Sequence, residues 1–415
     1  MSQPEIIAGL DIGSDTIRMA VGEISPTEDR VNIIGLAQGP SAGVAKGTVR
    51  SIEEVVDAIS NVRARAEKMT GFAIDHAVIS ISGSHITAQE SKGVIAVARA
   101  DGEIHDDDVE RVLEAAQAVS VPPNYEILHV LPRRFSIDNQ TDIKDPIGMN
   151  GVRLEVEAQI IEGQSTHIKN VTKAVNLAGL DIDDLVLASL ASSESCLIER
   201  QKDLGVVLVN IGAATTSVLV FEEGDIILVD VMPVGSSHIT NDIAIGLRTN
   251  IDIAEEIKIQ YGSTKDTASS SSDEVEMRQI NEQEEGNFSR KYLSEIIEAR
   301  VEEIFNMVDK GLRQISRSGK LPAGVVLTGS GSTLPGISEV AKREFRLPAS
   351  VGFPSGVDSA IEKINNPGVT TAIGLVLWGH ANHVSGGGFG SSITGFNGMR
   401  IVSEQFKSII RRFKP

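Results

Sequence analysis

The sequence predicts an α/β fold built from two related domains. Three observations carry the prediction. Residues 6–21 (IIAGLDIGSDTIRMAV) and 206–220 (VVLVNIGAATTSVLV) share one plan: an apolar strand, a tight Gly-containing turn and a second apolar strand. The copies lie roughly 200 residues apart, too far for a solenoid repeat but suited to two domains that each open with a hairpin. Residues 325–336 (VVLTGSGSTLPG) add another apolar strand running into a Gly-rich turn. At 415 residues the chain is long for one core, and about two to four domains are expected.

After the first hairpin, residues 52–70 have helical periodicity and 77–82 read as a strand. Residues 83–162 form a distinct block. It holds short strands, an acidic helix start at Asp106, Asp107 and Asp108, and a helix over 109–119 that Pro122 and Pro123 end. Acidic residues at a helix start favour its dipole, which explains this run better than a metal does. Helix resumes at 165–178. Residues 263–286 (STKDTASSSSDEVEMRQINEQEEG) are polar and read as a mobile surface loop or short strands in a variable subdomain. A long helix follows at 289–315, and a Gly- and Ser-rich linker runs from Gly386 to Gly398.

Composition narrows the function. The chain is 41% hydrophobic and only 4% aromatic, so its cores are aliphatic. A formal charge of −19 repels phosphate backbones and argues against general nucleic-acid binding. Cys196 stands alone, which excludes a disulfide framework within the chain and fits a reducing compartment. The start, MSQPEIIAGLDIG, is no signal peptide, and no stretch reaches the roughly 18 apolar residues of a membrane span. A cytosolic protein with at most a peripheral membrane contact is expected.

Residues 403–415 (SEQFKSIIRRFKP) point to that contact. Phe406, Ile409, Ile410 and Phe413 line one helix face, while Lys407, Arg411, Arg412 and Lys414 crowd the others. A basic amphipathic helix on an acidic protein suits an anionic membrane surface. The alternative is docking on the protein's own body. The glycine linker and the basic charge favour the membrane. Partial insertion set against ordering entropy makes one tail a weak binder, whereas several tails on a polymer bind as a unit.

Two Gly-containing hairpin turns facing each other suit a nucleotide, because their backbone N–H groups can point at phosphate oxygens. Asp11 would hold Mg²⁺ through water, and Gly13, Ser14, Asp15 and Thr16 would cradle phosphates. Glu255 and Lys258, at i and i+3 on one helix, could reach a ribose or adenine together; alone they also fit a solvated surface pair.

Five elements in this order resemble the actin and sugar-kinase superfamily: phosphate loops at 8–18 and 206–221, connecting helices at 165–178 and 366–379, and an adenosine loop at 325–336. Over nearly its whole length the chain resembles the bacterial cell-division FtsA family. The specific marks are residues 132–143, DPIGMNGVRLE at 145–155, HITNDIAIGL at 238–247, AEEIKIQYG at 254–262, YLSEIIEARVEEIF at 292–305 and the amphipathic terminus. The resemblance implies an α/β, actin-like two-domain fold of ribonuclease H-like mixed sheets with flanking helices. An inserted subdomain (83–162) takes the place of an actin subdomain. It implies subdomains at 1–82 with 163–191 and 366–385, at 192–242 with 322–365, and at 243–321, then a linker at 386–402 and the membrane helix at 403–415.

The resemblance also implies a function. Such a protein binds ATP and Mg²⁺, self-associates into filaments at the inner face of the cytoplasmic membrane, tethers the tubulin-like protein FtsZ and recruits downstream division proteins. By the same resemblance Asn210, Gly212, Ala213, Ala214, Thr215 and Thr216 form the second phosphate loop, with Asn210 near the metal through water. Gly235, Gly329, Ser330 and Gly331 complete the nucleotide site. Arg290, Lys291 and Arg300 would receive the acidic FtsZ C-terminal peptide.

The chain departs from the family at its second loop. Asn210 stands where an Asp is usual, and Ala213 and Ala214 stand where Gly would permit positive φ. A single Ala forced into that region costs on the order of 1 kcal/mol. Weakened nucleotide binding and slow or absent hydrolysis are expected. Other chemistry is poorly supported: His380 and His383 lack a Cys partner for zinc, and Ser192, Ser193 and Ser195 read as a helix surface or cap. Two alternatives stay open. One is a pilus-assembly adaptor of the PilM type. The other is a sugar-kinase-type phosphotransferase, for which no catalytic carboxylate motif is evident.

Overall fold

Each repeated hairpin nucleates a sheet. In the computed structural model, which describes residues 5–24, 30–118, 121–265, 273–281 and 286–384, the chain opens with β1 (Glu5–Ile12), β2 (Thr16–Ile24) and β3 (Val31–Pro40), an antiparallel meander. A small ribbon follows, β4 (Val44–Ala45) and β5 (Thr48–Val49), then α1 (Ile52–Thr70). Ser51 caps α1 by accepting from Glu54 N–H, and Gly71 ends it in the left-handed region at φ 77°. Val55, Ile59, Val62 and Ala66 give it one buried stripe. β6 (His76–Ile81) then pairs parallel to β1.

The chain next leaves the sheet for an inserted unit: β7 (Ile86–Ala96), α2 (Asp106–Gln117), β8 (Tyr125–Ile137), β9 (Gln140–Ile143) and β10 (Arg153–Gln164). These form a four-stranded sheet in the order β7-β10-β8-β9, with α2 packed on one face over a core that includes Val109, Val112, Val156 and Ile160. Pro132 lacks a ladder donor and sits in β8 next to a register shift. The helix begins three residues before the predicted position. Asp108 turns back to accept from His105 N–H at 3.1 Å, so the acidic run is part of the helix and its last member is buried.

α3 (Ser165–Leu177) and β11 (Asp181–Leu187) complete the first sheet, ordered β11-β6-β1-β2-β3. α4 (Ala188–Cys196) and α5 (Glu199–Leu204) lead into the second hairpin and its meander, β12 (Val206–Ile211), β13 (Thr216–Glu222) and β14 (Asp225–Met232). α6 (Ser236–Leu247), α7 (Ile251–Tyr261), the ribbon β15 (Glu274–Glu276) and β16 (Asn287–Ser289), and α8 (Arg290–Gln314) form a helical lobe. β17 (Gly324–Thr328), α9 (Ile337–Phe345) and β18 (Ala349–Val351) close the second sheet, ordered β14-β13-β12-β17-β18. Both sheets share one plan: a meander extended by parallel strands on the side of its first strand. α10 (Thr370–Val384) ends the described chain. The linker and the amphipathic helix, residues 386–415, lie outside the described residues.

Of the two connecting helices the resemblance implies, only the final one takes part in the crossing between the sheets. α3 forms where predicted, but it packs with α1 on the outer face of the first sheet. α4 crosses α10 instead, so closely that a Cβ on Gly374 would fall inside the Ala191 carbonyl oxygen. Ser192, Ser193 and Ser195, expected on a helix surface or in a cap, are fully buried there. Ser192 Oγ lies 2.9 Å from Thr371 Oγ1, and Ser195 Oγ donates to Thr370 O at 2.8 Å. Small residues let two backbones meet, and the hydroxyls keep their hydrogen bonds inside the contact.

The insertion touches the second sheet as well. Lys144 Nζ pairs with Asp225 Oδ1 at 2.6 Å and donates to Glu223 O at 2.7 Å, and Arg134 lies 3.5 Å from Glu223. Burial pushes the Asp225 carboxyl up, opposed by the Lys144 hydrogen bond and charge.

At the root of the insertion His85 is buried, with neither ring nitrogen hydrogen-bonded, and lies 4.6 Å from the His167 ring between centroids. Burial, then the neighbouring His167, push its pKa down to about 4. The unfolded chain takes up this proton first, so the contribution is whole above the unfolded pKa near 6.5 and declines as pH falls from there toward 4. The thermal midpoint is expected to drop across this window, and His85→Gln to flatten the profile, measured by melting at stepped pH. Gly374→Ala should lower stability by about 1–3 kcal/mol or more by overpacking the crossing, read as a lower denaturant midpoint.

Candidate nucleotide-binding cleft

The two hairpin turns come to face each other across a cleft of about 430 Å³, within the roughly 300–1,000 Å³ of small-molecule sites. Each turn is held narrow by a glycine. A Cβ on Gly13 would lie 2.6 Å from Thr16 O, and one on Gly212 3.0 Å from Thr215 O. The glycines serve close approach, since neither has positive φ. Ala213 and Ala214 also lack positive φ, so the strain expected of them is absent: the turn accommodates their Cβ atoms.

Asp11, Gly13, Ser14, Asp15 and Thr16 line one wall, and Asn210, Gly212, Ala213, Ala214 and Thr215 the other. Glu255, Lys258, Gly329, Ser330 and Gly331 join the second wall. Two predicted residues do not reach the cleft. Thr216 is fully buried and donates to Val234 O at 2.8 Å; the next residue, Ser217, faces the cleft, as strand alternation requires. Gly235 lies behind the second turn, where a Cβ would sit 2.5 Å from Gly212 O. It lets Ser236 and Ser237 donate their N–H groups to the carbonyls of Gly212 and Ala213 at 2.9 and 2.8 Å. Gly235 therefore supports the turn from outside.

Asp11 accepts from Ser80 Oγ at 2.8 Å, and Ser80 Oγ accepts from Ile12 N–H at 3.1 Å. Burial pushes the Asp11 carboxyl up, against the charge of Arg18 and the Ser80 hydrogen bond. Asn210 donates through Nδ2 to Ser192 Oγ at 3.0 Å and Thr371 Oγ1 at 3.4 Å, which ties the second turn to both crossing helices. Lys258 Nζ pairs with Glu255 Oε2 at 2.6 Å, and both meet Thr240 Oγ1. The first turns of α4 and α10 reach the cleft at Ala188 and Thr371, so the positive ends of both dipoles face a position that suits an anion.

The residues fit a nucleotide with a metal held lightly. Mg²⁺ is commonly bound by one or two carboxylates plus substrate phosphates and waters. Asp11 supplies one carboxylate, and Asn210 adds no charge.

Sequence reasoning missed Arg18, Gly47, Ser82 and Thr371 in the lining. Arg18 was legible: it stands two residues beyond Thr16 and so shares its face of β2. The rest depend on long-range packing. Of the three basic residues expected to receive a peptide, Arg300 is held by its own chain, bidentate to Asp242 at 2.5 and 2.9 Å and paired with Glu303. Arg290 lies 3.6 Å from Asp273 and over the Tyr261 ring, and Lys291 is exposed.

Asn210→Ala removes two hydrogen bonds at the crossing and should cost about 1–3 kcal/mol. Asn210→Asp should keep both contacts, because Ser192 and Thr371 can turn to donate. Denaturant midpoints of the two variants check this difference.

Comparisons with known proteins agree with this architecture. The family model described as Cell division protein FtsA matches residues 207–374, and that of the SHS2 domain inserted in FTSA matches residues 83–162. Cell division protein FtsA of Pseudomonas aeruginosa is 37% identical over 375 residues, covering 90% of this chain and 89% of its own. The Bacillus subtilis protein is 37% identical, covering 92% and 85%, and that of Escherichia coli K12 is 32% identical, covering 92% of each. Among solved structures, the PilM-PilN type IV pilus biogenesis complex superposes with a TM-score of 0.67 at 16% identity, covering 90% of this chain and 98% of that one. MreB5 of Spiroplasma citri bound to ADP gives 0.56 at 12% identity, covering 92% and 99%. These neighbours speak for the fold, which is actin-like and carries the SHS2 insertion. The extent of the sequence match says more: the chain belongs to the FtsA family of cell-division proteins.

Proposed function

We propose that this chain is an ATP-binding scaffold that self-associates into filaments at the inner face of the cell membrane during division. In this reading residues 403–415 hold it to anionic lipid, it tethers FtsZ through the C-terminal peptide of that protein, and it recruits downstream division proteins. The cleft between the two repeated hairpins carries the proposal. It sets backbone turns, two helix starts and the Asp11 carboxylate around one space of nucleotide size. MreB5, a neighbour in fold, was solved bound to ADP. Asp11 would hold Mg²⁺ through water, and the metal, when bound, would screen phosphate charge. Turnover should be slow, because Asn210 supplies no second carboxylate and its amide is tied to the crossing helices.

Weak individual tails make attachment depend on assembly. Electron microscopy of the purified protein on anionic lipid monolayers should show filaments that require both lipid and ATP. Phe406→Glu or Ile410→Glu should abolish sedimentation with liposomes and leave ATP binding intact. Unchanged sedimentation would count against the anchor.

A further inference from the structure

We propose that Ser263 and Thr264 are positioning residues of the cleft: their turn clasps Pro335 and so sets the width of the end that takes the base of a nucleotide. This rests on the nucleotide reading above and adds what shapes the base end of that site.

The clasp joins two elements of the lining. α7 brings Glu255, Lys258 and Ile259 to the cleft, and the turn after β17 brings Thr333, Leu334 and Pro335. α7 ends at Gly262, where a Cβ would fall 2.2 Å from Lys258 O and 3.3 Å from Leu334 Cδ1, so the chain leaves the helix hard against the second element. The next two residues reach across. Thr264 N–H donates to Pro335 O at 2.9 Å, Thr264 Oγ1 donates to the same oxygen at 3.2 Å, and Ser263 Oγ donates to it at 3.4 Å. Ser263 Oγ also accepts from Lys265 N–H at 3.0 Å, which keeps the turn closed.

Residues 263–286 read from the sequence as a polar surface loop, yet Ser263 is 9% and Thr264 4% exposed. Gly336 has φ 87°, and a Cβ there would lie 2.5 Å from Thr264 Oγ1, so the left-handed turn after Pro335 leaves room for the threonine. Lys265 Nζ pairs with Glu339 Oε1 at 2.8 Å, and Ser294 Oγ donates to Lys265 O at 3.2 Å, which anchors the far side of the turn to α9 and α8. Ile259, Leu334 and Pro335 supply apolar surface to the lining. A flat base gains from such surface only where it stays within contact distance, and a gap of about half an ångström to one ångström already forfeits a quarter to a half of that attraction. A spacing fixed before the ligand arrives removes the cost of ordering it on binding.

The test compares ATP with CTP, which differ only in the base, by equilibrium titration of the full-length protein in Mg²⁺. Wild type, Thr264→Val, Thr264→Ser and Ser263→Ala are titrated, and melting curves without nucleotide check that each is folded. The wild type is expected to prefer ATP by about fivefold or more, because a purine covers more apolar surface than a pyrimidine. Thr264→Val should weaken ATP by about threefold to tenfold and CTP by less than about twofold, which narrows the preference. Thr264→Ser should restore the preference, and Ser263→Ala should narrow it to a smaller extent. Should Thr264→Val fail to fold, Ser263→Ala decides by the same ratio. A wild type that binds ATP and CTP alike overturns the proposal. So does a Thr264→Val protein that keeps the wild-type ratio, whether or not both affinities fall together. A wild type that binds neither nucleotide overturns the nucleotide reading itself.

Discussion

The structure depends on one crossing. α4 and α10 meet backbone to backbone at Ala191 and Gly374, and each carries a sheet on its far side. Side chains larger than those present would separate the helices and with them the sheets. The cleft exists because both helices start from the same end of the crossing, where the two hairpin turns project. Ser192, Ser195, Thr370 and Thr371 satisfy one another inside this contact, so close packing leaves few polar groups unmet. Asn210 adds the second turn to the same network.

That network changes how the family departure reads. By sequence, Asn210 is a missing charge and Ala213–Ala214 a strained turn. In three dimensions the turn is unstrained, and Asn210 joins the floor of the cleft to both crossing helices. The charges expected of the site, Asp11, Asp15, Glu255 and Lys258, all line the cleft, and Arg18 joins them. Backbone turns, two helix starts and the Arg18 guanidinium share that lining.

Much of the architecture was legible because it follows local periodicity. The repeated hairpins, α1 over 52–70 and the long helix ending near residue 315 came from apolar spacing and breakers. α4 escaped because ASLASSESC is buried all round and has no amphipathic stripe, while its serines resemble a surface. Thr216 and Gly235 fall outside the lining for a related reason: a motif gives the order of residues, but strand alternation and the packing of α6 decide which of them face the cleft. The tie between Arg18 and Ser330 spans 312 positions and has no local signature at all.

The pairing of Lys144 with Asp225 gives the molecule a second joint away from the crossing. Two bodies held at one point can swing in any direction and also spin. Each further tie, the bond of Arg18 to Ser330 among them, removes more of that freedom. The insertion thus restrains the second sheet relative to the first while adding nothing to the cleft. This outer joint combines those ion pairs with a buried apolar cluster that holds Ile86, Leu128 and Leu131 together with Ile226, Val229 and Val231, so salt weakens only its charged part.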